Sequence, residues 1–277
     1  KIKRIMYAEE NPRADLHRLN RYRAMDRNGN LYKVVSARQS EAAKRALNRK
    51  KDRRHFSFAN MRNIREVIAK LSTTDCGRLL VLIGHIDFKS GILVNERGNA
   101  MTKKPIQKTV GLGERAFRDF FRKMTEMDVI QETADGKYRI NPDYHFVGST
   151  DSVEVVKAFS SAVRKLANRL RPSELGFVYK LLPHVHFTTN MICADPFEPD
   201  PAKIRFLNVR GIAELTGMND KRTSTMLTKL RKAGVLAETK LKDDKRDVFF
   251  TVNPYVFYRK KGRPDDTLKS MFASSRF

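Results

Sequence analysis

Residues 212–238 read IAELTGMNDKRTSTMLTKLRKAGVLAE, and an earlier stretch, residues 106–132, reads IQKTVGLGERAFRDFFRKMTEMDVIQE. At a displacement of 106 residues, Gly111 meets Gly217, Leu112 meets Met218 and Arg115 meets Lys221. Phe120 and Phe121 meet Met226 and Leu227, Met124 meets Leu230, and Val129-Ile130 meets Val235-Leu236. A glycine just after a short apolar-periodic run ends a helix, because it enters the left-handed region without a Cβ clash. The 3.6-residue period then resumes, and a short apolar run follows it. Each copy therefore predicts a short helix, a tight turn at glycine, a second helix and a strand.

The duplication extends in both directions. Upstream, LSTTDCGRLLVLIGHIDFKSGIL (71–93) matches LRPSELGFVYKLLPHVHFTTNMI (170–192) at a displacement of 99. Asp75 meets Glu174, Gly77 meets Gly176, His85 meets His184, Ile86 meets Val185 and Phe88 meets Phe187. Each reads as a capped helix followed by an extended piece, with Pro172 suited to a first helical turn. Downstream, the turns at Ala134-Asp135-Gly136 and at 242–246 (KDDKR) sit inside β-hairpins. Each hairpin runs into an Asn-Pro tail, Asn141-Pro142-Asp143-Tyr144 in one copy and Asn253-Pro254-Tyr255 in the other. Three landmarks recurring in one order mark an internal repeat.

Helix, helix, turn, helix and then a two-stranded hairpin is the order of a winged helix, so the chain resembles a tandem winged-helix DNA-binding protein over about residues 61–262. The Asn-Pro tail after each hairpin is similar to one in plasmid and phage replication proteins of the RepL type. Duplicated winged helices also occur in theta-type plasmid replication initiators. The resemblance implies a mainly helical α+β fold. It divides the chain into a basic N-terminal extension (1–60), a first winged helix (61–148), a linker helix (149–169), a second winged helix (170–262) and a C-terminal tail (263–277). It implies double-stranded DNA as the partner, with replication or transcription proteins as further partners and a homodimer as one arrangement left open. Origin binding in replication is the first expectation, and the alternatives are transcription regulation or a winged-helix interaction protein of the replication or transcription machinery. Two modules on one chain suit a direct repeat or a long operator.

The outward residues of the second helices are the expected DNA contacts. In the first copy Phe117, Phe120, Phe121 and Met124 form the buried stripe, which leaves Arg115, Arg118 and Arg122 outward, with Lys108 on the preceding helix. Arginine serves both phosphate contact and bidentate guanine reading. In the second copy Met226, Leu227 and Leu230 are buried. Lys221, Arg222, Thr225 and Lys229 are outward, and Thr223 and Ser224 cap the helix or bind phosphate. Lys242, Lys245 and Arg246 form a basic hairpin tip.

Composition supports a polyanionic partner. The chain of 277 residues carries 56 Lys+Arg against 31 Asp+Glu, a net charge of +25. Residues 1–60 hold +11, 61–148 hold +4 and 149–277 hold +10, so the surplus sits at the two ends. The N-terminal part predicts a hairpin around Asn28-Gly29 and a helix over residues 36–54. The cluster Arg49, Lys50, Lys51, Arg53 and Arg54 on that helix could lie along phosphates. Residues 153–170 read as a helix joining the two modules, and the acidic, proline-rich stretch 195–201 (DPFEPDP) as a surface loop.

Other chemistries find no support in the spacing. No apolar run approaches the ~20 residues that span a bilayer, and no leader is visible at the start. Two cysteines, Cys76 and Cys193, build no disulfide framework and fit a reducing bacterial cytoplasm, on nucleoid or plasmid. His184, His186 and Cys193 have a ligand-like spacing without a completing set. Gly111-Leu112-Gly113 lacks the ending of a phosphate-binding loop. Asp243-Asp244 and Asp265-Asp266 sit in turns. The sequence calls for no cofactor, no metal and no enzyme activity.

Overall fold

Asn28-Gly29 does form a turn, with Gly29 at φ +77° between strands β3 (Arg23–Asp26) and β4 (Leu31–Val35). The structure is a computed structural model. It describes residues 3–6, 16–21, 23–29, 31–35, 38–39, 41–42, 54–240, 248–260, 262–274 and 277. The chain divides into two units, Lys1–Arg53 with Lys261–Arg263, and Arg54–Lys260 with Pro264–Phe277.

The first unit holds a four-stranded sheet in the order β1-β4-β3-β2, with β1 at Lys3–Met6 and β2 at Leu16–Asn20. β1 runs parallel to β4, while β2, β3 and β4 form an antiparallel meander with a register shift between Arg18 and Asn20. The hairpin was legible from its turn. The two outer strands were not, since β1 joins the sheet by a non-local pairing. Of the helix expected over 36–54, residues 38–39 and 41–42 are helical. Arg49, Lys50, Lys51 and Arg53 lie outside the described residues.

The second unit is built twice. The first half runs β5 (Phe56–Asn60), α1 (Asn63–Lys70), α2 (Thr73–Ile83), α3 (Lys103–Val110), α4 (Glu114–Glu126), the hairpin β6 (Ile130–Glu132) and β7 (Tyr138–Ile140), and β8 (His145–Phe146). The second half runs β9 (Val155–Phe159), α5 (Ser160–Ala167), α6 (Pro172–Leu181), α7 (Val209–Thr216) and α8 (Asp220–Lys232). The hairpin β10 (Leu236–Lys240) and β11 (Val248–Val252), β12 (Phe257–Tyr258) and a last short helix α9 (Asp266–Met271) follow. The fold is mixed α+β, and no helix of the described residues is long and apolar enough to cross a membrane.

An approximate two-fold axis relates the halves, and the strand register locates it. β5 and β9 pair antiparallel, with Phe56 opposite Phe159, Phe58 opposite Lys157 and Asn60 opposite Val155. Under the 99-residue displacement Phe58 corresponds to Lys157, so this pair sits on the axis. The outer strands obey the same relation. Phe58 pairs with Phe146 on β8, and Lys157 pairs with Tyr258 on β12. The sheet order β12-β9-β5-β8 is therefore symmetric.

The helix layer repeats the symmetry. α2 and α6 cross at Gly77 and Gly176. A Cβ on Gly77 would lie 2.8 Å from the Gly176 nitrogen, and one on Gly176 would lie 2.9 Å from the Gly77 nitrogen. Only two glycines let the backbones approach this closely. Around the crossing, Cys76, Leu79, Leu80, Leu175, Phe177 and Tyr179 are fully buried and belong to a single core that spans both halves. Burying a side chain of this size stabilises by about 1.5–3 kcal/mol, so neither half has a core to itself.

The structure differs from the sequence reading in two places here. Residues 153–170 do not form one linker helix: Val155–Phe159 is strand β9, and α5 begins at Ser160. Val155, Val156 and Phe159 are β-branched and aromatic residues whose pairing with β5 overrides the helical spacing. The second unit also begins at Arg54, because β5 supplies its central strand.

Candidate nucleic-acid interface

The element that positions the candidate contacts is the same in both halves. α3 ends at Gly111 (φ +66°) and α7 at Gly217 (φ +68°), both left-handed as the sequence predicts. The second helix then starts after Gly113 in one half and after Asn219 in the other, where the Asn219 side chain accepts from the Arg222 N–H at 2.9 Å. That bond caps one of the free helix N–H groups. Both helices end in a left-handed residue, Asp128 (φ 53°) and Gly234 (φ 75°), and a hairpin follows each.

The Asn-Pro tails close the same turn. Asn141 donates from Nδ2 to the Asp128 carbonyl at 3.0 Å, and Asn253 does so to the Gly234 carbonyl at 2.6 Å. Their side-chain oxygens accept from the N–H of Asp143 and Tyr255. Each asparagine thus ties the exit of its hairpin to the end of the second helix.

On α4 the buried stripe is Phe117, Phe120, Phe121 and Met124, as the spacing requires. Arg115, Arg118 and Arg122 are exposed, and so is Lys108 on α3. Arg122 is partly neutralised within its own helix, by Asp119 at 3.2 Å and Glu126 at 3.9 Å. Exposed pairs of this kind contribute at most about 1 kcal/mol, so a phosphate can displace them. Arg118 and Arg122 line a groove between α4 and the hairpin, shared with Lys103, Gln131 and Arg139.

On α8, Lys221, Arg222 and Thr225 are exposed. Neither Lys221 nor Arg222 forms an ion pair among the described residues, and the Thr225 hydroxyl donates to the Lys221 carbonyl. The equivalent groove is lined by Asn208, Arg210, Ser224, Thr228 and Arg231. Ser224 and Thr228 correspond to Arg118 and Arg122 at the 106-residue displacement. Carrying the outward set of one copy across to the other would have found Thr228, and the same groove logic would have found Lys103 and Arg139.

Two expected contacts turn inward. Thr223 is fully buried, because α8 begins at Asp220 and position 223 falls one turn before Met226 and Leu227 on the core stripe. Its hydroxyl has no hydrogen-bond partner among the described residues. Lys229, three residues beyond Met226, reaches Glu174 Oε1 at 2.9 Å on α6. Burial opposes ionisation of Glu174. The Lys229 ammonium and the N–H groups of Arg171 outweigh that and hold the carboxyl down at about 2. Lys229 therefore anchors α8 to the core helix.

Arg54 does not extend along a basic arm. Its guanidinium stacks 3.8 Å over the Phe159 ring and reaches the Tyr255 carbonyl. Lys242, Lys245 and Arg246, expected at the second hairpin tip, lie outside the described residues, as do Asp243 and Asp244.

Of the candidate metal ligands, His186 and Cys193 are engaged by protein groups, while the buried His184 Nδ1 has no hydrogen-bond partner among the described residues. His186 bonds Thr189 Oγ1 at 3.2 Å and the Glu198 carbonyl at 2.9 Å, and the Cys193 thiol donates to the Asp195 carbonyl at 3.1 Å. Burial pushes that thiol up to about 12. No cluster of three metal-ligating side chains occurs among the described residues. The Val94 N–H bonds the His85 carbonyl as the Cys193 N–H bonds that of His184, a structural role shared by the two copies. The loop 195–201 is pinned by Arg259. Its buried guanidinium donates to the carbonyls of Val185, Pro196 and Val153 and lies 4.8 Å from the Phe197 ring. No protein-family model matches this chain, and neither a curated protein nor a solved structure does.

Proposed function

We propose that the second unit binds double-stranded DNA sequence-specifically, as two winged helices sharing one core. The observation that carries the reading is the twice-built sequence of helix, glycine turn, helix and hairpin, with exposed basic side chains on the second helix each time. A helix presented this way fits the major groove, where arginine reads guanine edges and lysine neutralises phosphates. The hairpins reach the adjoining backbone. Arg115, Arg118, Arg122, Lys221, Arg222 and Thr225 are the contacts on this reading, with Lys103, Arg139, Ser224 and Thr228 flanking them. Replication-origin binding follows from the RepL-like tails, and each tail also serves a turn in this fold. A footprint on repeated motifs distinguishes an origin protein from a regulator, whose footprint overlaps a promoter.

The test is charge reversal of Arg115, Arg118, Lys221 and Arg222 together. Each phosphate contact contributes close to one unit to the slope of log K against log salt. Loss of the four cations lowers duplex affinity at least 100-fold and flattens that slope by about 2–4 units. An unchanged affinity and slope would refute the reading.

A further inference from the structure

We infer that the DNA site of this protein consists of two unlike half-sites in inverted orientation, read by α4 and α8 about one shared dyad. The inference rests on the DNA-binding reading above and specifies its target.

The argument is one of symmetry. Two reading helices joined by a translation meet two half-sites as a direct repeat. Two joined by a half-turn meet them as an inverted repeat, because the two strands of a duplex are themselves related by such dyads. Sequence duplication alone allows both, and a tandem arrangement on a string would favour the direct repeat. The structure chooses the half-turn through three separate contacts. The β5–β9 register is centred on Phe58 and Lys157, which are equivalent residues. The outer strands pair at equivalent positions, Phe58 with Phe146 and Lys157 with Tyr258. The α2–α6 crossing places equivalent glycines against each other, with Gly77 facing Pro172 and Gly176 facing Thr73, again an equivalent pair.

The reading helices follow the axis because each is tied to its core helix through the same connections. The Val94–His85 and Cys193–His184 backbone bonds correspond, and so do the left-handed turns at Gly111 and Gly217. The seven residues by which the displacement grows from 99 to 106 are taken up before α7, where the loop 195–201 lies. The helices are therefore related by the half-turn and differ in chemistry. The outward positions of α4 are Arg115, Ala116, Arg118, Asp119 and Arg122, and those of α8 are Lys221, Arg222, Ser224, Thr225 and Thr228. Two surfaces this different select two different base sequences, so the inverted repeat is hidden at the level of sequence.

Making the surfaces alike exposes the symmetry. The full chain carrying Arg115→Lys, Ala116→Arg, Arg118→Ser, Asp119→Thr and Arg122→Thr presents the α8 surface twice. All five positions are exposed, so the core is untouched. Duplexes are selected from a random pool with the wild type and with this variant. The wild type yields two unlike half-sites at fixed spacing. The variant yields one half-site written twice in inverted order, bound at least ten-fold tighter than a direct repeat of equal spacing. The reciprocal variant, Lys221→Arg, Arg222→Ala, Ser224→Arg, Thr225→Asp and Thr228→Arg, yields the other half-site, again inverted. Preference for the direct repeat, or equal binding of the two arrangements, overturns the inference while leaving DNA binding in place. A wild type that enriches no duplex overturns the DNA-binding reading itself.

Discussion

Replacing Gly77 by alanine should drive α2 and α6 apart. The added Cβ would lie 2.7 Å from the Pro172 carbonyl carbon and 2.8 Å from the Gly176 nitrogen, with the Pro172 oxygen closer still. Ordinary contacts between such atoms lie at about 3.5–4.0 Å. The obstacles are backbone atoms, which cannot rotate away, so the helices must separate by about 1 Å at the crossing. A gap of that size forfeits about a quarter to a half of the dispersion energy of the contacts around it. Overpacking of this kind costs typically 1–3 kcal/mol and occasionally more, and alanine returns about 1 kcal/mol through helix propensity. Because the core of both halves loosens together, the net loss falls at the upper end of that balance, about 2 kcal/mol. For a unit of this size that lowers Tm by roughly 4–8 °C. Gly176→Ala should behave alike, since its Cβ meets Thr73 and Gly77 in the same way. The double substitution should cost less than the sum by about 1 kcal/mol or more, because one separation accommodates both methyl groups. Thermal and urea unfolding followed by circular dichroism measure all three. Gly113→Ala is the control, because a Cβ there meets nothing within 4 Å and only the α4 cap is altered. Were Gly77→Ala as mild as Gly113→Ala, or the pair strictly additive, the close symmetric crossing would be refuted.

Three further perturbations probe the polar contacts. Glu174→Gln removes a carboxyl held at about 2 in the folded chain against 4.5 for a free one. Its contribution is present above pH 4.5 and is lost as pH falls towards 2. The variant should be less stable than wild type by about 2–3 kcal/mol at pH 7, with the gap closing in that acid window in pH-dependent melts. Arg259→Met removes the donor shared by the carbonyls of Val185, Pro196 and Val153 and leaves Pro196 only the Phe187 N–H. It should cost about 2–4 kcal/mol and open the peptide bonds after Lys203 and Arg205 to trypsin, whereas wild type resists under the same digestion. Tyr179→Phe removes the hydroxyl that meets His145 Nε2 at 2.8 Å in the core. His145 stays neutral because burial lowers its pKa to about 3, so an orphaned nitrogen results and urea unfolding should show a loss of about 1–3 kcal/mol.

Much of the second unit was legible because its signals are local. The glycine turns at Gly111 and Gly217, the buried stripe Phe117–Phe120–Phe121–Met124 and the capped starts of α2 and α6 each depend on residues within a few positions. The exposed cations on α4 and α8 followed from the same periodicity. Where that reading failed, a partner distant in sequence was responsible. Val155–Phe159 carries an apolar pattern open to either period, and β5 decides it as a strand. Lys229 sits at the margin of the α8 stripe, and Glu174 on another helix draws it inward. Arg54 ended a basic run in sequence and lies on an aromatic ring in the fold.

By itself, the sequence determined that this protein is a duplication, that each copy holds a helix, glycine turn, helix and hairpin, and which helix faces are charged. Periodicity, capping and turn chemistry act over one or two turns of chain, so they can be read without coordinates. The tertiary structure alone decided how the two copies face each other. Gly77 and Gly176 are ordinary helix positions until their backbones meet, and the β5–β9 register exists only once strands from both copies pair. A repeat carries no handedness or axis in its letters. The half-turn that orients the two basic helices comes from contacts between residues about 100 positions apart, whose geometry depends on how both surfaces fit.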